Sequence, residues 1–253
     1  MARQRRHKTR RRRRGRFRGL YSLLSVLLVA AAVVGASVVF FRVNEVTVEG
    51  NSRYTAEEVV EASGIRTGDN LVGLSKSEIA GKIRTGLPYV ESVSVHRKFP
   101  DGVELTVRER LAVASVTSSS GRWLISSQGK LLEQHSSQRV VEIRGFGAIS
   151  PYAGGNLQVR EEDSATLSYV LELLTALEKR ELLSKCTVLD CASDTYLTLN
   201  YDIYVLKLPR GCDYDYKLRL LLNALGHENM PQGVPGTFDF TIDEKSVNFR
   251  PQH

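Results

Sequence analysis

A run of 22 uncharged, mostly apolar residues near the start of the chain, residues 20–41, constrains the fold more than any other feature. As an α-helix such a run is about 33 Å long, which matches the roughly 30 Å hydrocarbon core of a bilayer. A helix satisfies its own backbone hydrogen bonds, so the segment can cross lipid. A cleaved signal peptide is the competing interpretation, but the run is long for one. The sequence therefore predicts a single transmembrane helix at residues 20–41.

The segment before this run, residues 1–19, contains ten Arg, one Lys and no acidic residue. Basic residues collect on the cytoplasmic side of membrane helices, so we expect this tail in the cytoplasm and the remaining chain outside the membrane. The same charges attract anionic lipid. Nucleic-acid binding is the weaker interpretation, because no recognition motif surrounds them. The residues expected to orient the helix are Arg10, Arg11, Arg12, Arg13, Arg14, Arg16 and Arg18.

The rest of the chain carries the opposite charge. Of the 35 Lys and Arg residues, eleven lie in the tail. The remaining 24 are outnumbered by 28 Asp and Glu residues, which excludes a basic domain after the helix.

The cysteines Cys186, Cys191 and Cys212 leave two interpretations open, a Cys186–Cys191 disulfide or buried free thiols. No CxxC pair or Cys/His spacing suggests zinc, so we expect no metal and no cofactor.

Residues 42–110 show a regular succession of strand and helix patterns. Apolar and polar residues alternate from Phe41 to Val48, which predicts a strand. Two capping boxes, in which Thr55 and Ser75 each precede a Glu by three residues, predict the starts of two short helices. Two alternating runs around a turn at residues 99–102 predict a hairpin. The expected order is strand, helix, helix, strand, strand.

Residues 111–253 mix strands with two helices. A loop is predicted at residues 117–121, followed by a hairpin at residues 123–132. Alternation around Phe238 and Phe249 predicts a second, closing hairpin. Shorter strands are predicted at residues 140–143, 187–189, 196–200 and 203–208.

Leucines at helical spacing predict the two helices of this part, near residues 164–180 and 218–225, with Gly226 ending the second. The patterns together predict an α+β protein: a basic tail (residues 1–19), a transmembrane helix (residues 20–41), and domains at residues 42–110 and 111–253.

A membrane-anchored extracytoplasmic cell-wall hydrolase is the alternative class of function. Such an enzyme needs a nucleophile or a metal with a base nearby, and the sequence contains no GxSxG, HExxH or phosphate-loop motif. Its histidines lie in the tail, at the last residue, on a polar strand face (His96) or in loop-like stretches (His135 and His227). We therefore expect no catalytic residues.

Five segments, taken in order, carry a resemblance to one protein family. They are VNEVTVEGNSRYTAEEVVEASGIRTGDNLV, LPYVESVSVHRKFPDGVELTVRERLAVA, WLISSQGKLLE, KLRLLLNAL and GTFDFTIDEKSVNFRP. Behind a basic tail and one membrane helix, this order resembles the FtsQ/DivIB family of bacterial cell-division proteins. The first two segments are similar to the opening and the closing hairpin of its POTRA domain, and RKFPDGVELTVRER is the most specific stretch. The last three are similar to the first hairpin, last helix and final strands of its β domain.

The resemblance implies a β-α-α-β-β POTRA domain at residues 42–110 and an FtsQ/DivIB-type β domain, a mixed sheet with helices, at residues 111–253. It implies a non-catalytic scaffold at the division septum that binds FtsB/DivIC-like and FtsL-like membrane coiled-coil proteins. Through them it would support regulation of septal peptidoglycan synthesis by the septal synthase complex.

The resemblance also implies where a partner binds, because in the family the end of the β domain accepts a partner strand, while the POTRA domain contributes to recruitment. An open strand offers unpaired N–H and C=O groups that an added strand satisfies. The phenylalanines of the run are either apolar anchors for the partner or part of the core, and Asp239 stands at the family's Asp in that strand. The expected site residues are Thr237, Phe238, Asp239, Phe240, Thr241, Ile242, Val247, Phe249 and Arg250.

Overall fold

The computed structural model describes residues 15–228, 231 and 233–252. Its first element is helix α1 (Gly15–Phe40), whose 26 residues correspond to about 39 Å. Within the described residues, α1 is the one helix that is long and apolar enough to cross a membrane, and its apolar stretch is not buried by the rest of the protein. This N-terminal helix is consistent with a single-pass membrane protein.

Residues 45–109 form a three-stranded sheet with two helices. The elements are β1 (Glu45–Glu49), α2 (Ala56–Ser63), α3 (Lys76–Gly86), β2 (Val90–Lys98) and β3 (Gly102–Glu109), so the predicted order is confirmed. β3 lies in the centre, parallel to β1 and antiparallel to β2. Val59 and Ile83 of the helices and Leu105 of β3 are fully buried in one apolar core.

The capping boxes fix where the two helices begin. Thr55 Oγ1 accepts the Glu58 N–H at 3.2 Å and the Glu58 carboxylate accepts the Thr55 N–H at 2.8 Å, so the first box is complete. Ser75 Oγ accepts the Glu78 N–H at 3.4 Å. The Glu78 carboxylate, however, pairs with Lys82 Nζ at 2.8 Å instead of returning to Ser75. The second predicted box is therefore half formed, because an oppositely charged side chain one turn later competes for the carboxylate.

Residues 114–251 contribute nine described strands to a second, mixed sheet. In chain order these are β4 (Ala114–Ser118), β5 (Gly121–Ile125), β6 (Leu131–Gln134), β7 (Val141–Arg144), β8 (Cys186–Asp190), β9 (Tyr196–Tyr201), β10 (Tyr204–Pro209), β11 (Gly236–Asp239) and β12 (Asn248–Pro251). Their order across the sheet is β12-β11-β10-β9-β8-β7-β4-β5-β6. Both predicted hairpins, β5–β6 and β11–β12, are confirmed.

The predicted loop at residues 117–121 is wrong. Thr117 and Ser118 belong to β4 and Gly121 begins β5, so a tight turn of two residues joins the strands. Ser118 Oγ accepts the Ser120 N–H at 3.1 Å, and Gly121 has a φ of 118°, which glycine adopts without a steric cost.

Two helices connect two of the three parallel strand pairs of this sheet. α4 (Ser164–Lys179) joins β7 to β8 and α5 (Tyr214–Leu225) joins β10 to β11. Parallel neighbours need such crossovers because the chain must return to the same end of the sheet. Arg180, just after α4, pairs with Asp215 of α5 at 2.8 Å. The two helices bury a row of leucines in the core of the large sheet: Leu173, Leu174, Leu177, Leu218 and Leu221.

Apolar and charged contacts join the two sheets. Tyr89, which precedes β2, packs in a buried cluster with Leu124 and Leu132 of the large sheet. The Arg53 guanidinium lies 3.9 Å from the centre of the Tyr89 ring and pairs with the Glu133 carboxylate. A cation is attracted to an aromatic face, so Arg53, between β1 and α2, contacts both Tyr89 beside β2 and Glu133 of β6.

The three cysteines are free thiols, so the structure contains the second of the two states left open by the sequence. Burial raises the pKa of Cys186 and Cys191 to about 12 and also raises the pKa of the half-buried Cys212. Since the pKa of an unfolded thiol is about 8.5, the contribution of these thiols to the stability of the fold is fully present below that pH. This contribution is lost as the pH rises towards the folded values.

We predict that Cys212 reacts first with a thiol reagent at pH 8 and that Cys186 and Cys191 react only on unfolding, because the thiolate is the reactive species. Mass spectrometry after timed alkylation of the native and the urea-unfolded chain measures this order. Rapid labelling of all three cysteines in the native chain would contradict the burial of Cys186 and Cys191. Labelling of only one cysteine after unfolding without reductant would show that the other two form a disulfide.

Candidate functional site

The large sheet ends at β12, the last strand of the chain. β12 pairs antiparallel with β11 on its inner side, with Phe249 opposite Phe238 and Arg250 opposite Thr237. On its outer side no strand pairs with it within the part of the chain that the structure describes. The predicted run therefore contains both the edge strand and its neighbour.

The hydrogen-bond pattern shows which backbone groups of β12 face outward. The Gln252 N–H donates to the Pro235 carbonyl oxygen at 2.9 Å, and bonded positions alternate along an antiparallel pair. Arg250 therefore directs its backbone groups towards β11, while Phe249 and Pro251 direct theirs away from the sheet. Since proline has no N–H, Phe249 carries the outward donor of β12.

At the opposite edge of the sheet, a loop covers the first residue of β6 and the turn before it. The Leu131 N–H donates to the Gly155 carbonyl oxygen at 2.9 Å, and the Gly154 N–H donates to the Leu131 carbonyl oxygen at 2.8 Å. The Leu157 N–H donates to the Gly129 carbonyl oxygen at 2.7 Å. A loop that covers the start of an edge strand hinders the addition of another strand there, so the two edges of the sheet differ.

The phenylalanines of the predicted site hold the last strands in place. Phe238 and Phe240 are 0% and 1% exposed, and the centre of the partly buried Phe249 ring lies 4.9 Å from that of Phe238. The Tyr204 ring of β10 packs 5.2 Å from Phe238. Phe238 and Phe240 thus belong to the core rather than to an exposed apolar surface, because alternation along β11 turns both towards the buried face of the sheet.

Lys217 of α5 fixes the segment between β11 and β12, a role that no sequence pattern indicates. It is 4% exposed, and its Nζ donates to the carbonyl oxygens of Asp243 at 3.1 Å and Glu244 at 2.8 Å. A buried ammonium group is costly unless acceptors surround it, so these bonds tie the connection to α5. In the sequence, one lysine on an amphipathic helix looks like an ordinary solvated residue.

Asp239 closes β11 with its side chain. Its carboxylate accepts the Thr241 hydroxyl at 2.6 Å and the Thr241 N–H at 3.0 Å. Burial raises the pKa of Asp239, but these hydrogen bonds and the charges of Lys207 and Arg250 outweigh it, so the pKa lies below the usual value. The carboxylate therefore stabilises the fold above the unfolded pKa of about 4, and this contribution is lost as the pH falls below it.

The other predicted site residues lie at the surface or outside the described residues. Arg250 and Thr241 are exposed, Ile242 is 57% exposed, and Thr237 and Val247 are partly buried. Of the tail arginines, Arg16 and Arg18 fall within α1, whereas Arg10, Arg11, Arg12, Arg13 and Arg14 lie outside the described residues.

Gly236 allows β12 to approach β11 closely. A Cβ atom at this position would lie 2.5 Å from Cε2 of Phe249 and 2.6 Å from the Arg250 carbonyl oxygen. Both distances are shorter than a van der Waals contact, and one of the atoms is backbone. The Pro235-Gly236 pair suggests a turn in the sequence, so this packing role was missed.

The groups that could support catalysis are dispersed. Among the described residues, no group of three or more His, Cys, Asp and Glu is placed to hold a metal ion. His96 is exposed on β2 opposite Glu104, and His135 and His227 are exposed. Burial raises the pKa of Cys212, which disfavours the thiolate that a nucleophile requires.

We predict that Gly236→Ala lowers the free energy of unfolding by about 1–3 kcal/mol, because the added methyl group overpacks the β11–β12 contact. Urea unfolding of the full chain in detergent measures the change. Gly226→Ala is the matched control, since its nearest neighbour would lie at an ordinary 3.5 Å. Equal stability of the two variants would show that β12 does not pack against Gly236.

Comparison with known proteins shows which proteins this chain is similar to. A model of the POTRA domain, FtsQ-type, matches residues 41–110. The cell division protein DivIB of Clostridium botulinum (strain Hall) is 20% identical over 238 residues, which cover 93% of this chain and 92% of the relative. FtsQ of Anaeromyxobacter sp. (strain K) is 28% identical over 167 residues, 58% of this chain and 56% of the relative. FtsQ of Streptomyces venezuelae is 37% identical over 120 residues, 46% and 40% of the two chains. The chain thus contains an FtsQ-type POTRA domain and is similar over most of its length to cell division proteins of the FtsQ/DivIB type, which implies a role in the divisome.

Proposed function

We propose that this chain is a non-catalytic scaffold of the divisome that binds a partner strand on β12. In this proposal α1 anchors the protein with the arginine-rich tail in the cytoplasm and both sheets outside, at the division septum. The strand comes from an FtsB/DivIC-like membrane protein, and an FtsL-like protein joins the same assembly. The scaffold then supports regulation of septal peptidoglycan synthesis by holding these proteins at one place.

The observation that carries the proposal is the difference between the two edges of the large sheet. The start of β6 is covered by loop hydrogen bonds at residues 129–131 and 154–157, whereas the outer side of β12 carries no strand within the described residues. A partner strand satisfies such free backbone groups, and the main-chain bonds supply affinity. The buried side chains of Phe238 and Phe240 keep the edge in position before a partner arrives, which lowers the entropic cost of binding.

Exposed side chains of β12 would select the partner strand. Asn248 and Arg250 are exposed and lie on the same face of the strand, since they are two residues apart. An added strand presents every second residue to that face, so an acidic residue beside Arg250 gives a favourable cross-strand pair. Ile242, 57% exposed in the adjoining connection, offers the partner an apolar contact.

Two further surfaces complete the proposal. The POTRA domain contributes to recruitment of the protein to the division site. The tail contacts anionic lipid at the cytoplasmic surface, because each basic residue near such a surface contributes about 1 kcal/mol. Neither surface requires a cofactor or a metal.

We predict that Phe249→Pro lowers the affinity for the exported part of the host's FtsB/DivIC-like protein at least about tenfold more than Phe249→Ala does. Both variants lose the ring, but only proline removes the outward N–H and places ring atoms where the partner strand pairs. Isothermal titration with the full chain in detergent measures both affinities.

Both variants are expected to fold, because an edge strand tolerates a proline whose nitrogen faces outward. Circular dichroism checks that both remain folded. Equal affinities of folded Phe249→Pro and Phe249→Ala would place the interface away from the backbone edge of β12.

A further inference from the structure

Two loops of the POTRA domain expose apolar side chains beside the end of α1. Phe99, in the turn between β2 and β3, is 61% exposed, and Val72, between α2 and α3, is 49% exposed. Single exposed apolar side chains are common on protein surfaces, whereas apolar side chains grouped beside a membrane helix mark a candidate contact with the membrane. Neither residue has a role in the strand-binding edge of the other sheet.

Both loops are fixed to the first residues after α1. The Phe99 ring packs edge-on against Phe41, with 5.3 Å between the ring centres. The Leu71 N–H, next to Val72, donates to the Phe41 carbonyl oxygen at 2.9 Å. Phe41 directly follows Phe40, the last residue of α1.

Backbone hydrogen bonds also fix the residues that follow Phe41 to the POTRA domain. The Val43 N–H donates to the Asp69 carbonyl oxygen and the Asn44 N–H donates to the Asp101 carbonyl oxygen, both at 2.9 Å. Val43 itself is 1% exposed. The POTRA domain therefore begins at the residue where the apolar helix ends, with no free linker between them.

This continuity sets the distance of the loops from a bilayer crossed by α1. Consecutive Cα atoms are about 3.8 Å apart, so the Phe99 ring, in contact with Phe41, lies within about 10 Å of the end of the span. A layer of that thickness is occupied by lipid headgroups and the outer ends of the acyl chains. We propose that Phe99 and Val72 insert into this interfacial layer, so that the POTRA domain docks on the lipid surface from which α1 emerges.

Apolar contact rather than charge would drive this docking. Arg42 is exposed beside the two loops, but Lys98 is paired with Glu104 at 2.9 Å, and the Asp101 carboxylate lies beside Asn44, which donates to it at 3.2 Å. The surface around Phe99 thus carries both signs of charge. Binding through apolar side chains depends little on lipid charge or on salt, in contrast to a polybasic surface.

Docking through Phe99 and Val72 sets the orientation of the POTRA domain relative to the membrane surface. A span alone allows rotation about its end, whereas a second contact through Phe99 and Val72 restricts the tilt of the POTRA domain. The inference rests on α1 crossing the bilayer and is independent of whether β12 binds a partner.

The test uses the full chain in lipid nanodiscs with Phe99→Trp and, as a matched control, Ile203→Trp. Ile203 is 42% exposed in the turn between β9 and β10 of the large sheet. The native Trp123 is 6% exposed and contributes the same background to parent and variants. Tryptophan emission is compared between nanodiscs of ordinary lipid and of lipid brominated on the acyl chains near the headgroup.

We expect the brominated lipid to quench most of the added emission of Phe99→Trp and little of that of Ile203→Trp, because bromine on the acyl chains quenches only a tryptophan that lies in close contact with it. Val72→Trp, an independent variant on the other loop, should be quenched like Phe99→Trp. The quenching should persist in zwitterionic lipid and at high salt. Equal quenching of Phe99→Trp and Ile203→Trp, or quenching that requires anionic lipid and is lost at high salt, would overturn the proposal.

Discussion

The parallel pairing of β10 with β11 is the constraint on which the candidate site depends. A parallel neighbour can be reached only by a crossover, and α5 supplies it across one face of the sheet. The next strand, β12, turns back on β11 and lies at the rim of the sheet. The outermost strand is therefore held through β11 by the same crossover.

Packing against the crossover helix and the core holds β12 in place, although no strand pairs with its outer side within the described residues. Phe238 and Phe240 are buried beneath it, and Lys217 of the crossover helix holds the connection between the last two strands by two carbonyl oxygens. Side chains thus fix the position of β12 and leave its outer backbone groups available. At the other end of the molecule, Phe41 and Val43 are fixed to the POTRA loops, so the membrane helix leads into packed structure without a linker.

Local features of the structure could be predicted from the sequence because they depend on neighbouring residues. The Thr55–Glu58 capping box, the leucine-rich helices and the two hairpins follow from spacing and alternation. The half-formed box at Ser75 could not be predicted, because Lys82 competes for Glu78. β4 was missed because Ser118, Ser119 and Ser120 together have the composition of a loop, although Ser118 ends β4 and only Ser119 and Ser120 form the turn.

The nature of the site depended on contacts between distant parts of the chain. Alternation placed Phe238 and Phe240 on one face, but only the pairing with β10 and the position of α5 show that this face is buried. The same holds for Lys217, whose acceptors lie 26 and 27 residues away. The resemblance to the FtsQ/DivIB family predicts a binding region at the end of the sheet, and the hydrogen-bond pattern indicates that Phe249 is the outward donor of β12.

Amide hydrogen exchange at Phe249 tests the central claim most directly. Exchange of the full chain is followed by NMR, alone and with the exported part of the FtsB/DivIC-like partner. The Arg250 amide, directed towards β11, provides an internal reference. If a partner strand adds to β12, the Phe249 amide exchanges rapidly in the free chain and becomes protected on binding, while that of Arg250 is protected in both states. A bound partner that leaves the Phe249 amide exchanging rapidly would contradict the account.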